Sequence, residues 1–358
     1  MANDPTTVPS SAEIAINARF KLARVTGVQR YAWEVSKRLT IPSVDISPRK
    51  LLSSARSHLW EQFAIPASVG ARLLWSPGNT GPLLVKRQVV TIHDLAAIEH
   101  PEWFSGRFSQ WYKWLLPKLA LRAQHILTDA HYTKERFVSL LGVDPDKVTV
   151  IPLSVDHEAF YPQNEAAIAE VRRKYNIGDS PYFATLGSLE PRKNLRNMIA
   201  AWNKVSPQLS ADSRLVIIGG PGKTEVFAKG ETGEGIPNIT RTGYVPDSDV
   251  PALLSGASAL LYVSLYEGFG FPVIEGMACG VPVITSNLTS IPEVAGSAAI
   301  LLDPQSVDGI AKAIYDLAID PALAAHFRVA GLGRAKQFSW ERCAGETEAV
   351  LVRQAERS

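Results

Sequence analysis

Cysteine is scarce in this 358-residue chain, which holds only Cys279 and Cys343. The pair matches no metal-ligand spacing and no disulfide framework, the usage that a reducing cytosolic compartment leaves. Charge of one sign is missing too: 37 Lys and Arg face 35 Asp and Glu, a net charge of +2. That balance argues against a nucleic-acid binder, so partners have to be read from sites. Runs of about 18 apolar residues, long enough to span a bilayer, do not occur. Met1 to Ser11 is polar and rich in Pro, Thr and Ser, unlike a secretory signal. No short-period repeat is present, and no low-complexity segment follows that tail. A cytoplasmic protein is the expectation.

At this length two domains are expected, because a single core rarely grows so large. Strand-like and helix-like patterns alternate along the whole chain, which predicts α/β architecture with parallel sheets. One series of predicted strands covers 13–18, 44–46, 73–75, 89–92, 125–128 and 148–151. After a looser segment around 155–180 a second series follows at 182–186, 215–218, 239–244, 259–263, 281–285 and 299–302. Ligands of doubly wound sheets bind beyond the carboxyl ends of the strands, so two such domains would present those ends to a shared cleft.

Two stretches carry chemistry. In Tyr266-Glu267-Gly268-Phe269-Gly270-Phe271-Pro272-Val273-Ile274-Glu275-Gly276-Met277-Ala278-Cys279-Gly280, two carboxylates bracket a Gly-rich turn and a helix start. Pro272 suits the first helical position and Gly280 the stop, which puts Glu267 in a loop and Glu275 in the first turn. Gly268 and Gly270 let the backbone approach a ligand, and the helix N-terminus favours a phosphate. A carboxylate on either side could grip sugar hydroxyls, so the stretch suits a sugar nucleotide. The second is Gly187-Ser188-Leu189-Glu190-Pro191-Arg192-Lys193-Asn194, where a strand leads into two adjacent cations and a helix capped near Asn194. Arg192 and Lys193 can neutralise a diphosphate and the charge that develops as it leaves. Taken alone, the segment also reads as a solvated basic turn.

With Thr26-Gly27-Val28-Gln29-Arg30, Thr91-Ile92-His93-Asp94-Leu95 and the ending Phe338-Ser339-Trp340-Glu341-Arg342, these stretches resemble the retaining glycosyltransferases of family 4, the group 1 glycosyltransferases, across nearly the whole chain. The look is closest to bacterial mannosyl- and rhamnosyltransferases of surface polysaccharides. The resemblance implies the GT-B fold: an acceptor-binding Rossmann-like domain over 1–165, a nucleotide-sugar-binding one over 166–335, and a helix over 336–358 crossing back to the first. It implies a donor set of Gly27, Gly187, Ser188, Arg192, Lys193, Glu267, Gly268, Phe269, Gly270 and Glu275, with Glu275 on the ribose and Glu267 near the sugar hydroxyls. Gly27 would lie in the loop after the first strand, across from the diphosphate. Catalysis falls to His93, Glu267 and Lys193, and His93 with Asp94 would meet the transferred sugar and acceptor. No cofactor or metal is implied, only a nucleotide-sugar co-substrate. GDP-mannose is the expected donor and a lipid-linked saccharide or polysaccharide precursor the acceptor. Alternatives are a UDP- or dTDP-sugar donor, a sugar-nucleotide epimerase, and a non-catalytic sugar-nucleotide binder.

The chain departs from the family pattern at Ser188, where many members carry arginine, at Thr26-Gly27, which lacks a double glycine, and at Ala130, often serine. Gly219-Gly220-Pro221-Gly222-Lys223-Thr224 is similar to a P-loop but has Ile217 where the first glycine belongs. Asp144/Asp146 and Asp247/Asp249 have the Asp-x-Asp spacing of metal-dependent transferases, yet lie where Asp commonly turns or caps. Over 103–118, Phe104, Phe108, Trp111 and Leu115 share a helical face, with Arg107, Trp114 and Lys118 on another side. Either that face is core, or the segment meets the inner leaflet as a peripheral contact.

Overall fold

A computed structural model describes residues 13–23, 25–220 and 236–357. The chain divides into two units. Met1–Leu95, Tyr112–Leu153 and Trp340–Ser358 form the first, and Ala96–Trp111 with Ser154–Ser339 form the second.

The first unit holds strands β1 (Ile14–Asn17), β2 (Ser43–Ile46), β3 (Leu73–Ser76), β4 (Gln88–Thr91), β5 (His125–Thr128) and β6 (Val148–Val150), all parallel, in the order β2-β1-β3-β4-β5-β6. Every residue of β1, β3, β4 and β5 is buried, as expected of parallel strands covered on both faces. Ala15 and Leu74 of this sheet pack with Ile65, Val69 and Val85 as one core cluster. The helix Trp340–Glu356 joins this unit, burying Trp340, Cys343, Thr347 and Leu351, and Gln124 Nε2 donates to the Gln354 carbonyl at 2.8 Å.

The second unit repeats the plan with β7 (Tyr182–Leu186), β8 (Arg214–Ile218), β9 (Ile239–Gly243), β10 (Ala259–Tyr262), β11 (Val283–Ser286) and β12 (Ile300–Leu302), parallel in the order β12-β11-β10-β7-β8-β9. Phe183, Trp202, Leu215, Ile217, Leu261, Val263 and Ile314 anchor its core. The twelve strands expected from sequence are all present, with ends moved by at most two residues. In each sheet the strand order reverses once, between β1 and β3 in the first and between β7 and β10 in the second. Ligands of open α/β sheets bind outside the carboxyl ends at such switch points.

Candidate active site

At the switch point of the second sheet, β7 ends in Gly187, whose φ of 147° lies in glycine territory. A Cβ on the neighbouring Gly219 would stand 2.1 Å from the Gly187 carbonyl oxygen, so the two strand ends meet at a distance only glycine allows. A 3-10 turn, Pro191–Lys193, then aims both cations at one carboxylate. Lys193 Nζ lies 2.8 Å from Glu267 Oε1, and Arg192 donates to Glu267 Oε2 at 2.9 Å and to Glu190 Oε2 at 2.8 Å. The Tyr262 hydroxyl, at the end of β10, donates to Glu267 Oε1 at 2.8 Å and accepts from Lys193 at 2.6 Å. Ser188 Oγ donates to Glu190. These contacts rule out the solvated basic turn.

Burial alone would raise the Glu267 carboxyl, but Lys193 and Arg192 overcome it and bring the pKa down to about 2. Lys193 shifts the unhelpful way: burial, then Arg192, lower it against the pull of Glu267 and Glu190. The two directions agree physically, because Glu267 gains from two cations while Lys193 shares its carboxylate with Arg192. A second anion would therefore relieve Lys193.

Asn194 caps nothing with its side chain. It takes a left-handed conformation, and its Nδ2 donates to the Val263 carbonyl at 2.9 Å and the Pro304 carbonyl at 2.7 Å, tying the loop to the end of β10. Beyond Glu267, Gly270 (φ 100°) precedes the helix Phe271–Ala278. Because that helix starts one residue before Pro272, Glu275 is buried in its second turn and not its first. Gly280 ends it with φ 71°, as expected. Gly268 is buried with its neighbours, and Phe269 packs its ring on Phe271 and Phe338, each with centroids 5.8 Å away. Any part Phe269 has in binding is through its backbone. The Glu267 carbonyl accepts from Ser290 Oγ at 2.9 Å, and its N–H donates to Thr289 Oγ1 at 3.2 Å. Thr289 itself holds φ 56°, an uncommon conformation for a β-branched residue. The segment 96–111 adds Glu99, whose Oε1 accepts from the Tyr266 hydroxyl at 3.1 Å.

In the first unit, His93 follows β4 and is fixed on three sides. Its N–H donates to Asn79 Oδ1 at 2.7 Å, Nδ1 lies 2.7 Å from Asp129 Oδ2, and Nε2 lies 3.2 Å from the Pro77 carbonyl oxygen. The Tyr31 ring abuts it edge-on at 4.9 Å. Both ring nitrogens face acceptors, an arrangement that favours the protonated ring. Burial opposes that charge, but Asp129, with help from the Pro77 carbonyl, outweighs it and leaves the His93 pKa raised. Burial likewise raises Asp129, which His93 lowers only in part. Asp94 is half-buried beside them. Gly27 is exposed and opens the helix Gly27–Ser36, so it is a helix start and not a loop residue.

Residues 46–159 match the family described as Glycosyltransferase Family 4, and residues 167–332 match Glycosyl transferases group 1. O-antigen chain mannosyltransferase B of Escherichia coli is 32% identical over 268 residues, covering 74% of this chain and 70% of that protein. The chain belongs to glycosyltransferase family 4. A GDP-mannose-dependent alpha-(1-6)-phosphatidylinositol monomannoside mannosyltransferase of Mycolicibacterium smegmatis is 30% identical over 212 residues, 56% of this chain and 55% of that protein. Among solved structures, sucrose-phosphate synthase from Thermosynechococcus elongatus superposes with a TM-score of 0.76 at 18% identity, covering 97% of this chain and 100% of that one. The two six-stranded parallel sheets are those of the GT-B fold.

Neither Asp-x-Asp pair of this glycosyltransferase is arranged as a metal site. Asp144 Oδ1 accepts the Asp146 N–H at 2.9 Å as a turn cap. Asp249 precedes a helix without capping it, because its carboxylate takes Lys174 Nζ at 2.7 Å and the Tyr175 hydroxyl at 2.6 Å. Among the described residues, no group of three or more His, Cys, Asp or Glu could hold a metal ion. Most of the P-loop-like string and the N-terminal tail lie outside the described residues; Gly219 serves the close approach to Gly187.

The aromatic segment is buried on one side and exposed on another. In the helix Gly106–Arg122, Leu115 is buried, Phe108 and Trp111 are half-buried, and Phe104 stacks on Phe108 at 5.3 Å. Trp114 is 46% exposed with Lys118 Nζ 4.7 Å from its ring centre. Among the described residues no helix is long and apolar enough to cross a membrane. Sequence reasoning missed Asp129, Tyr262 and Thr289 as neighbours of the site, and quoted Glu190 without a role. Only Glu190 carried a signal, as an acid two residues from Arg192.

Proposed function

We propose that this glycosyltransferase moves a mannosyl residue from GDP-mannose to a hydroxyl of a lipid-linked saccharide or polysaccharide precursor, with retention of configuration. The observation that carries the reading is the Arg192–Lys193–Glu267 cluster at the switch point of the second sheet. The names of the relatives support mannose and, for one of them, GDP. On this reading the second unit takes the donor and the first the acceptor. Lys193 and Arg192 hold the diphosphate, Glu275 the ribose, and Glu267 the sugar hydroxyls. Gly187, Ser188, Gly268 and Gly270 bring main chain close to the donor.

The acceptor oxygen bonds to the anomeric carbon on the face from which the diphosphate leaves, through an oxocarbenium-like transition state. The bond from that carbon to phosphate oxygen breaks, and the leaving diphosphate takes the acceptor proton. His93, whose ring nitrogens both face acceptors, stabilises charge beside the transferred sugar, with Asp94. Double displacement would need a nucleophilic carboxylate. Glu267 is poorly suited, since two cations and a hydroxyl occupy its oxygens. The donor is a co-substrate, and no resident cofactor or metal enters the scheme.

A panel of GDP, UDP and dTDP sugars tests the donor. GDP-mannose should raise the melting temperature most and release GDP only with acceptor turnover. Conversion of the sugar without nucleotide release would instead indicate an epimerase, and binding without turnover a scaffold. We further propose peripheral attachment to the cytoplasmic face of the inner membrane through Trp114, Lys118 and Leu121, which are exposed together on one helix. Flotation with anionic liposomes at low salt should carry the protein upward, and failure to float would refute the attachment.

A further inference from the structure

We infer that the switch point of the first sheet is a subsite for the acceptor saccharide, in which Arg19 binds sugar hydroxyls and Glu61 positions Arg19. This rests on the proposed glycosyl transfer and names residues outside the family motifs quoted above. Asn17 ends β1 and Ser76 ends β3, and both are buried where the strand order reverses. Glu61, on the helix Ser54–Val69, has a side chain with 0% exposure. Its Oε1 accepts from Asn17 Nδ2 at 2.8 Å and Thr80 Oγ1 at 2.9 Å, and lies 3.5 Å from Arg19 Nη2. Arg19 donates to Thr80 Oγ1 at 2.7 Å and to Ser57 Oγ at 3.3 Å. Its side chain stays 21% exposed.

Two acceptor atoms in this cluster lack any hydrogen-bond partner, Glu61 Oε2 and Asn17 Oδ1. Burial would raise the Glu61 carboxyl, but Arg19, with His58 and Asn17, lowers it, so Glu61 is a carboxylate. A buried carboxylate oxygen without a donor is costly, on the order of 1–3 kcal/mol or more, and calls for an O–H or N–H. His58 Nδ1, 3.8 Å from Glu61 Oε2, is at ion-pair distance and longer than an ordinary hydrogen bond. A sugar hydroxyl fits at the exposed part of Arg19, which donates to it, while the buried Glu61, held by Asn17, steadies the guanidinium from within. A phosphate fits poorly, because it brings only acceptors to a site already holding a carboxylate. Tyr112 lies in the same field: burial pushes its hydroxyl up to about 12, opposed by Arg19 and reinforced by Glu61 and Asp94. Asp94 adjoins His93, which places the cluster on the sheet edge that carries the catalytic histidine.

The test compares wild type with Arg19→Gln and Glu61→Gln, using methyl α-mannobioside as acceptor and GDP-mannose as donor. Each substitution should raise the KM for acceptor about tenfold or more, while the KM for donor holds within about twofold. Saturation-transfer NMR with the mannobioside alone should show binding to wild type and loss of it in Arg19→Gln, whatever the donor. Should wild type bind the mannobioside yet ignore GDP-mannose, the donor assignment falls and the subsite stands. An unchanged acceptor KM in folded Arg19→Gln, or a Glu61→Gln that lowers only the melting temperature, would mean the cluster braces the fold around a buried water, and would overturn the subsite.

Discussion

Replacing Glu267 with Gln keeps the shape of the side chain and removes the charge that Lys193, Arg192 and Tyr262 share. The carboxyl falls from 4.5 to about 2 in the folded protein, a difference worth about 3 kcal/mol at roughly 1.4 kcal/mol per unit. With its side chain 7% exposed, solvent screening takes little from that figure. Breaking a buried ion pair typically costs about 3–5 kcal/mol, so two routes give similar sizes. For a unit of about 200 residues, 3 kcal/mol lowers the melting temperature by roughly 6–12 °C. The pH dependence has a definite sign. A carboxylate whose pKa is depressed stabilises the fold fully above 4.5, and that stability is lost as pH falls through about 2. Melts of wild type and Glu267→Gln should therefore stay apart at pH 7 and converge between about pH 4.5 and 2. Added GDP should still stabilise the variant, because both cations remain to meet the diphosphate, while transfer collapses. A gap under about 2 °C at pH 7, or one that does not narrow in acid, would refute the reasoning.

Lys193→Ala should weaken GDP binding by about 10- to 100-fold in calorimetry, the weight of one charge-assisted contact, and near-normal transfer would undo its assignment to the diphosphate. Asp129→Asn should cost about 3 kcal/mol at pH 6. Its raised His93 pKa gives wild type an advantage that is complete below about 6.5 and fades as pH rises through the folded value, so the alkaline limb of the transfer profile should move to lower pH in the variant. Gly219→Ala should destabilise the second unit by at least about 3 kcal/mol, because φ is 132° and the new Cβ meets the Gly187 carbonyl; a soluble variant melting like wild type would contradict that close approach.

The strands were legible because each is a short apolar run covered on both faces, a pattern that needs no knowledge of its neighbours. Loop and helix starts were less so. Pro272 marked a helix but not its first residue, which moved Glu275 by a turn, and Gly27 read as loop where it begins a helix. Asn194 carries a capping signature, yet its amide bonds to carbonyls 69 and 110 residues away. Asp129 meets His93 across 36 residues, and Tyr262 reads from sequence as one more strand residue. Such pairings come from the order of strands in a sheet, which local pattern does not contain.

The chain passes between the two units four times, leaving the first at Leu95, returning at Tyr112, leaving again at Leu153 and returning at Trp340. Neither unit is thus a contiguous gene segment, and swapping one for a homologous unit would require four junctions chosen together. Synthesis imposes an order as well. The last helix, which buries Trp340 and Leu351 in the first unit, emerges after all of the second has been made. At roughly 5–20 residues per second, the earliest sheet waits on the order of tens of seconds for its final helix. During that interval the second unit can already be folding, so the half made last would be finished first.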